Sequence, residues 1–154
     1  MRLKMKHIAL AALAVSIFGL WWGIDSTQPS IDYWLQKPPT FIAGVNSITM
    51  YCRNGGQTDG SFDLVLHFVN ASFSNQTTMP YTQVDNSTVK FGFTLHKDKS
   101  NQKQVYFTTH ENVTILSIEL SLEKRSTFLK QNRIYPTLLE YKWDEEKGAF
   151  ALVE

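Results

Sequence analysis

With 154 residues, 15 Lys+Arg against 14 Asp+Glu and one cysteine, the chain has room for one domain with a sizeable core and not for two. Setting aside Arg2, Lys4 and Lys6 leaves 12 basic side chains against 14 acidic ones, a balance that excludes the basic footprint of a nucleic-acid binder. The lone Cys52 excludes an internal disulfide, so stability has to come from burial.

In chain order, the first element is a charge-free apolar run of 17 residues from Ile8 to Ile24, preceded by Arg2, Lys4 and Lys6. At helical rise it spans about 25 Å, just short of a bilayer's hydrocarbon core, and His7, the tryptophans and Gly23 extend it into the interfaces. Residues 1–24 are therefore read as a single-pass transmembrane helix. The basic flank keeps the N-terminus cytoplasmic and sends the rest across. Trp21 and Trp22 then sit at the outer membrane interface, where an amphipathic indole is favoured. A cleavable secretory signal is the competing reading. It wants a core of about 7–15 residues and a small-x-small cut site, which the segment Trp21-Trp22-Gly23-Ile24-Asp25 does not offer. In both readings the remainder is extracytoplasmic.

Residues 25–40 read as a juxtamembrane linker, marked by Ser26, Thr27, Pro29, Pro38 and Pro39. Within it Ile31, Tyr33, Trp34 and Leu35 form a small apolar knot. Its settings are the membrane surface, the underside of the domain, or a partner, and Tyr33 and Trp34 are the candidate partner contacts.

From Phe41 to Glu154 the hydrophobic pattern has period two, the signature of half-buried strands. The clearest is 61–69, where Phe62, Leu64, Leu66 and Phe68 alternate with Asp63, Val65, His67 and Val69. Similar alternation predicts strands at 47–53, 89–95, 105–109 and 114–123. A terminal hairpin is expected from 138–143 and 149–153, with Gly148 at a left-handed position. Cys52 follows Ile48 and Met50 at two-residue spacing, which predicts an inward, inert thiol. Residues 124–135 give no clear period; Phe128, Leu129 and Ile134 fit a short helix or an irregular crossover. About seven strands and no long helix in residues 41–154 predict an all-β, antiparallel, immunoglobulin-like β-sandwich.

The residues Asn54-Gly55-Gly56-Gln57-Thr58-Asp59-Gly60 and the alternating strand after them resemble CARDB-type domains, immunoglobulin-like modules of prokaryotic cell surfaces. Residues 86–93 and 112–123 are similar to later strands of that family, so the resemblance covers about 45–123. It implies an adhesion or spacer role and no catalytic residues.

Four sequons are present, at Asn70, Asn75, Asn86 and Asn112, each with Ser or Thr two residues on and no intervening Pro. All lie in or beside predicted turns on the expected outside, so N-linked glycans are candidate attachments. Unmodified polar turns are the alternative. Asn75, between two strands, is the leading candidate among them, and Asn70 qualifies only if its strand has ended there. Together with the missing disulfides, the sequons lean toward an archaeal surface.

Among the histidines, His67, His96 and His110 share no metal-ligand spacing, and Cys52 is followed by no His or Met in a copper-site pattern. No nucleophile elbow, phosphate loop or paired-carboxylate motif occurs, so neither enzyme nor cofactor is expected. Tyr81, Tyr106, Tyr135, Tyr141 and Trp143 join Tyr33 and Trp34 as aromatics that would mark a protein-contact surface if several shared one face. The leading expectation is a noncatalytic accessory subunit of a membrane complex, its partners being membrane protein subunits and the lipid bilayer. A stand-alone adhesion or envelope glycoprotein is the runner-up. An extracytoplasmic metal-binding protein is third.

Overall fold

The computed structural model describes residues 2–77, 80–125, 129–132 and 137–153, with side chains described for all of these except 2–6, 9, 25–26, 124 and 130–132. One helix, α1 (Arg2–Thr27), precedes twelve strands: β1 (Ser30–Leu35), β2 (Thr40–Ile42), β3 (Val45–Asn54), β4 (Gly60–Val69), β5 (Ala71–Phe73), β6 (Thr82–Gln83), β7 (Thr88–Leu95), β8 (Ser100–Thr109), β9 (Ile115–Lys124), β10 (Lys130–Asn132), β11 (Leu138–Asp144) and β12 (Ala149–Leu152). They form two sheets, one ordered β10-β1-β3-β8-β5 and the other β2-β12-β11-β9-β4-β7-β6. Pairing is antiparallel except for β1 with β10.

The two sheets face each other across one core, as the period-two pattern requires. Ile31, Tyr33 and Leu35 of β1, Ile48, Met50 and Cys52 of β3, and Val105 and Phe107 of β8 point inward from the first sheet. Phe62, Leu64, Leu66 and Phe68 of β4 meet them, with Phe91, Ile118, Leu120 and Tyr141 beside them. Aromatic pairs bridge the layers: Phe107 lies 4.9 Å from Phe68 and 5.2 Å from Phe41. Such pairs contribute about 0.5–1.5 kcal/mol each beyond the area they bury.

All seven strands expected from the sequence are present, at β3, β4, β7, β8, β9, β11 and β12. The five others are short or hidden. The stretch 25–40, expected as a linker, contains β1, which pairs with β3 through Ile31↔Asn54 to Leu35↔Met50. The sandwich therefore begins at Ser30 and not at Phe41. The cause is legible afterwards: Ile31, Tyr33 and Leu35 alternate with Asp32 and Trp34, so this short run already has one buried face. In the region 124–135, Leu129 is buried and 130–132 forms β10. Phe128, Ile134 and Tyr135 lie outside the described residues.

Asn54 fastens the β3–β4 turn. Fully buried, it accepts from the backbone N–H of Ser30 and Gly56 and donates to the carbonyls of Thr58 and Leu95. Gly56 is required here, because a Cβ would overlap Gln28 O and Ser30 N.

The helix α1 forms where the apolar run predicts it, and its side chains from Leu10 to Ile24 are exposed all round. Among the described residues no helix is long and apolar enough to cross a membrane.

Candidate functional site

The two ends of the sandwich differ. At one end α1 runs straight into β1. Thr58 Oγ1 donates to Thr27 O at 2.6 Å, and Pro29 is buried beside Gly60. The β3–β4 turn, the end of β7 and the start of β8 lie at this end, since Asn54 reaches Leu95 O and Asn54 N–H bonds Lys99 O. At the opposite end β4 gives way to β5, β7 begins, and β8 turns into β9. There His110 N–H donates to Asn70 O, and Phe68 N–H donates to Ser87 O. The ten residues of β4 separate the two ends by about 30 Å.

The outward faces of the two sheets also differ. On the second sheet the outward positions are charged: Lys90 pairs with Glu123, Arg125 pairs with Asp63, and Glu119 stands opposite His67. On the first sheet the outward positions include Trp34 of β1, Thr49 and Tyr51 of β3, and Gln102, Gln104 and Tyr106 of β8, together with Asp32 of β1 opposite Arg53 of β3. Trp34 and Tyr51 are a cross-strand pair whose rings stack nearly parallel, 8° apart with centroids at 5.4 Å. Both are half-buried. They line a groove of about 760 Å³ with Arg53, Asp98, Ser100 and Gln102. Burial pushes the Cys52 thiol under this groove up to about 12, so it stays protonated and unreactive. Asp32, on the same outward face, is 8% exposed, and among the described residues its Oδ1 has no hydrogen-bond partner.

A second groove of about 500 Å³ lies at the end away from α1. It is lined by Ala43, His110, Asn112, Val113, Trp143 and Phe150. Trp143 and Phe150 meet edge to face at 5.0 Å and form its apolar wall.

Of the candidate partner contacts, Trp34 is on the outward face, whereas Tyr33 is not available to a partner. It points into the core with no exposed surface, because successive strand residues face opposite ways. Tyr51 was not singled out in the sequence, although its position between Met50 and Cys52 gives it the outward parity. Tyr141 is buried, its hydroxyl donating to Pro38 O at 3.0 Å, and Tyr81, Tyr106 and Trp143 are half-buried. The four sequon asparagines are exposed. Asn70 has φ 64°, so β4 has indeed ended before it, and Asn112 has φ 59°. Trp21 and Trp22 are exposed near the end of α1.

The three histidines are held separately. His67 Nδ1 bonds Thr88 Oγ1, His96 Nδ1 bonds Asp59, and His110 Nε2 bonds Ser72. Among the described residues no group of three His, Cys, Asp or Glu could hold a metal ion. The hydrogen bond from His96 keeps the exposed Asp59 carboxyl below the usual range.

No family model and no curated protein matches the chain. Among solved structures it is similar to the human F-spondin reeler domain, at 9% identity over 71% of this chain and 85% of that one, with a TM-score of 0.44. It is also similar to a type II cohesin domain from the cellulosome of Acetivibrio cellulolyticus, at 11% identity over 72% and 94%, TM-score 0.44. A third is a GH20 exo-β-N-acetylglucosaminidase of Vibrio harveyi, at 6% identity over 71% of this chain but 19% of that one, TM-score 0.39. These likenesses concern the fold alone. What stands of the CARDB-type resemblance is the β-sandwich, which rests on the chain's own two sheets.

Proposed function

We propose that the chain is a noncatalytic single-pass membrane protein. Its N-terminus is cytoplasmic, its sandwich is extracytoplasmic, and it serves as an accessory subunit of a membrane complex. The observation that carries this reading is α1. A helix that is apolar on every side needs a surrounding that buries every side, and this chain leaves those side chains exposed, from Leu10 at 72% to Trp22 at 64%. The charge-free run from Ile8 to Ile24, with its basic flank, makes lipid that surrounding. The outward face around Trp34 and Tyr51 supplies the protein contact. Interface centres are enriched in aromatic side chains. The stacked Trp34 and Tyr51 give this face that feature, with Arg53 and Asp98 lining the same groove, while the opposite face carries ion pairs. It lies toward the end at which α1 enters, so a laterally packed membrane subunit would meet it.

Purification from native membranes in mild detergent tests the reading. A stoichiometric set of membrane proteins should accompany the wild type and be lost from Trp34→Ala. The runner-up, a stand-alone adhesion or envelope glycoprotein, is favoured by the sequons and by the CARDB-type turn. It predicts a solitary chain in the same experiment.

A further inference from the structure

We infer that Asn112 is the N-glycosylation site of the folded chain, and that the first sugar attached there packs into the groove walled by Trp143 and Phe150. This rests on the extracytoplasmic placement proposed above. Modification of a folded acceptor needs the asparagine amide and the hydroxyl two residues on to be free together, and three of the four sequons fail that condition. Asn70 spends its amide on Ile115 O at 2.9 Å, and the hydroxyl of Ser72 is bonded to His110. Asn75 is exposed, but Thr77 is 5% exposed, and its hydroxyl accepts from Tyr106 N–H. Asn86 is exposed, but the Thr88 hydroxyl is bonded to His67. At the fourth sequon Asn112 and Thr114 are both exposed, and neither side chain makes a hydrogen bond among the described residues. Asn112 takes a left-handed backbone, φ 59°, in the β8–β9 turn.

The groove supplies the second, independent observation. Asn112 and Thr114 both line it, alongside Ala43, Val113, Trp143 and Phe150. Its volume of about 500 Å³ falls in the range that holds a small ligand, roughly 300–1,000 Å³. An apolar wall ringed by a few polar groups suits a sugar, whose ring faces carry C–H groups and whose edges carry hydroxyls. In the transfer, Asn112 Nδ2 attacks the anomeric carbon of a lipid-pyrophosphate-linked oligosaccharide. The carbon–nitrogen bond forms as the carbon–oxygen bond to phosphate breaks, the amide proton passes to the transferase, and the lipid pyrophosphate leaves.

The test is glycopeptide mass spectrometry of the full-length chain from its own host's membranes, with protease added to intact cells in parallel. The expected result is a saccharide on Asn112, lost in Asn112→Gln and unaffected in Asn70→Gln. Enzymatic removal of the sugar should lower Tm by about 2–4 °C in the wild type and have no effect in Asn112→Gln. A bare Asn112 on a chain that outside protease can reach overturns this inference and leaves the membrane reading standing. A chain that protease cannot reach overturns both. Equal occupancy of all four sequons overturns the selectivity of Asn112, and an unchanged Tm overturns the packing of the sugar in the groove.

Discussion

The two outward faces of the sandwich are built by the same alternation and come out chemically opposite. On the β4–β9 side the outward positions are filled by Asp63, Lys90, Glu119 and Glu123, which water solvates readily. On the β1–β3–β8 side they include Trp34, Thr49, Tyr51, Gln102 and Gln104, together with Asp32 opposite Arg53. The inner faces are equally apolar, so the fold demands nothing of this contrast. A face whose composition the fold leaves free, and which nonetheless carries stacked aromatics and neutral amides where the other carries ion pairs, is the candidate for contact from outside.

Substitutions can sharpen that contrast or break it. The largest effect belongs to the core that both faces share: Phe107→Ala removes contacts to Phe41 and Phe68 and should cost about 3–5 kcal/mol, measured by denaturation of the full chain in detergent. Next comes the aromatic face. Trp34→Ala should weaken partner retention by about 2 kcal/mol, roughly thirtyfold, in titrated pull-downs, with a much smaller loss of stability because the ring is half-buried. Equal weakening by Lys90→Ala would erase the distinction between the faces. The ion pair of Lys90 with Glu123 is partly exposed, so its removal should change stability by at most about 1 kcal/mol and leave partner binding intact.

Two pH-dependent effects are smaller. Burial raises the Cys52 thiol from 9.0 to about 12, which means the folded chain holds that proton more tightly than the unfolded one. Its contribution is complete below pH 9 and is lost as pH rises from there toward about 12. A thiol-alkylating reagent at pH 8 should therefore leave Cys52 unmodified until denaturant is added. At the rim, His96→Ala should raise the Asp59 titration midpoint toward its ordinary 3.8, followed by NMR, with almost no change in melting. The carboxyl is fully exposed, and its depressed value means the small stabilisation fades only as pH falls through it.

How much of this was legible depended on the range over which each signal acts. Five of the seven strands were readable because eight or ten residues of alternation, as in β4, leave no other secondary structure that buries one face. β11 and β12 were readable as the arms of the turn ending at Gly148. The short strands β2, β5, β6 and β10 contain two or three residues each, too few for a period to register. β1 has a period, but Pro29 before it and Pro38-Pro39 after it gave the stretch the composition of a linker. On the aromatic face Trp34 was named together with Tyr33, which the structure buries, while Tyr51 became meaningful only once β1 and β3 were in register. The groove beside Asn112 could not be read at all, because Ala43, Val113, Trp143 and Phe150 come from separate turns and strands that only tertiary packing unites.

The junction between Thr27 and Ser30 has a mechanical consequence. With Pro29 buried, Gln28 pressed against Gly56 and Thr58 tied to Thr27, the helix and the sandwich meet without a hinge. A shaft fixed this way works as a rudder stock. A lean or rotation imposed on the helix would be handed on through these contacts as a swing of the sandwich, and a load on the sandwich would be felt by the helix in return.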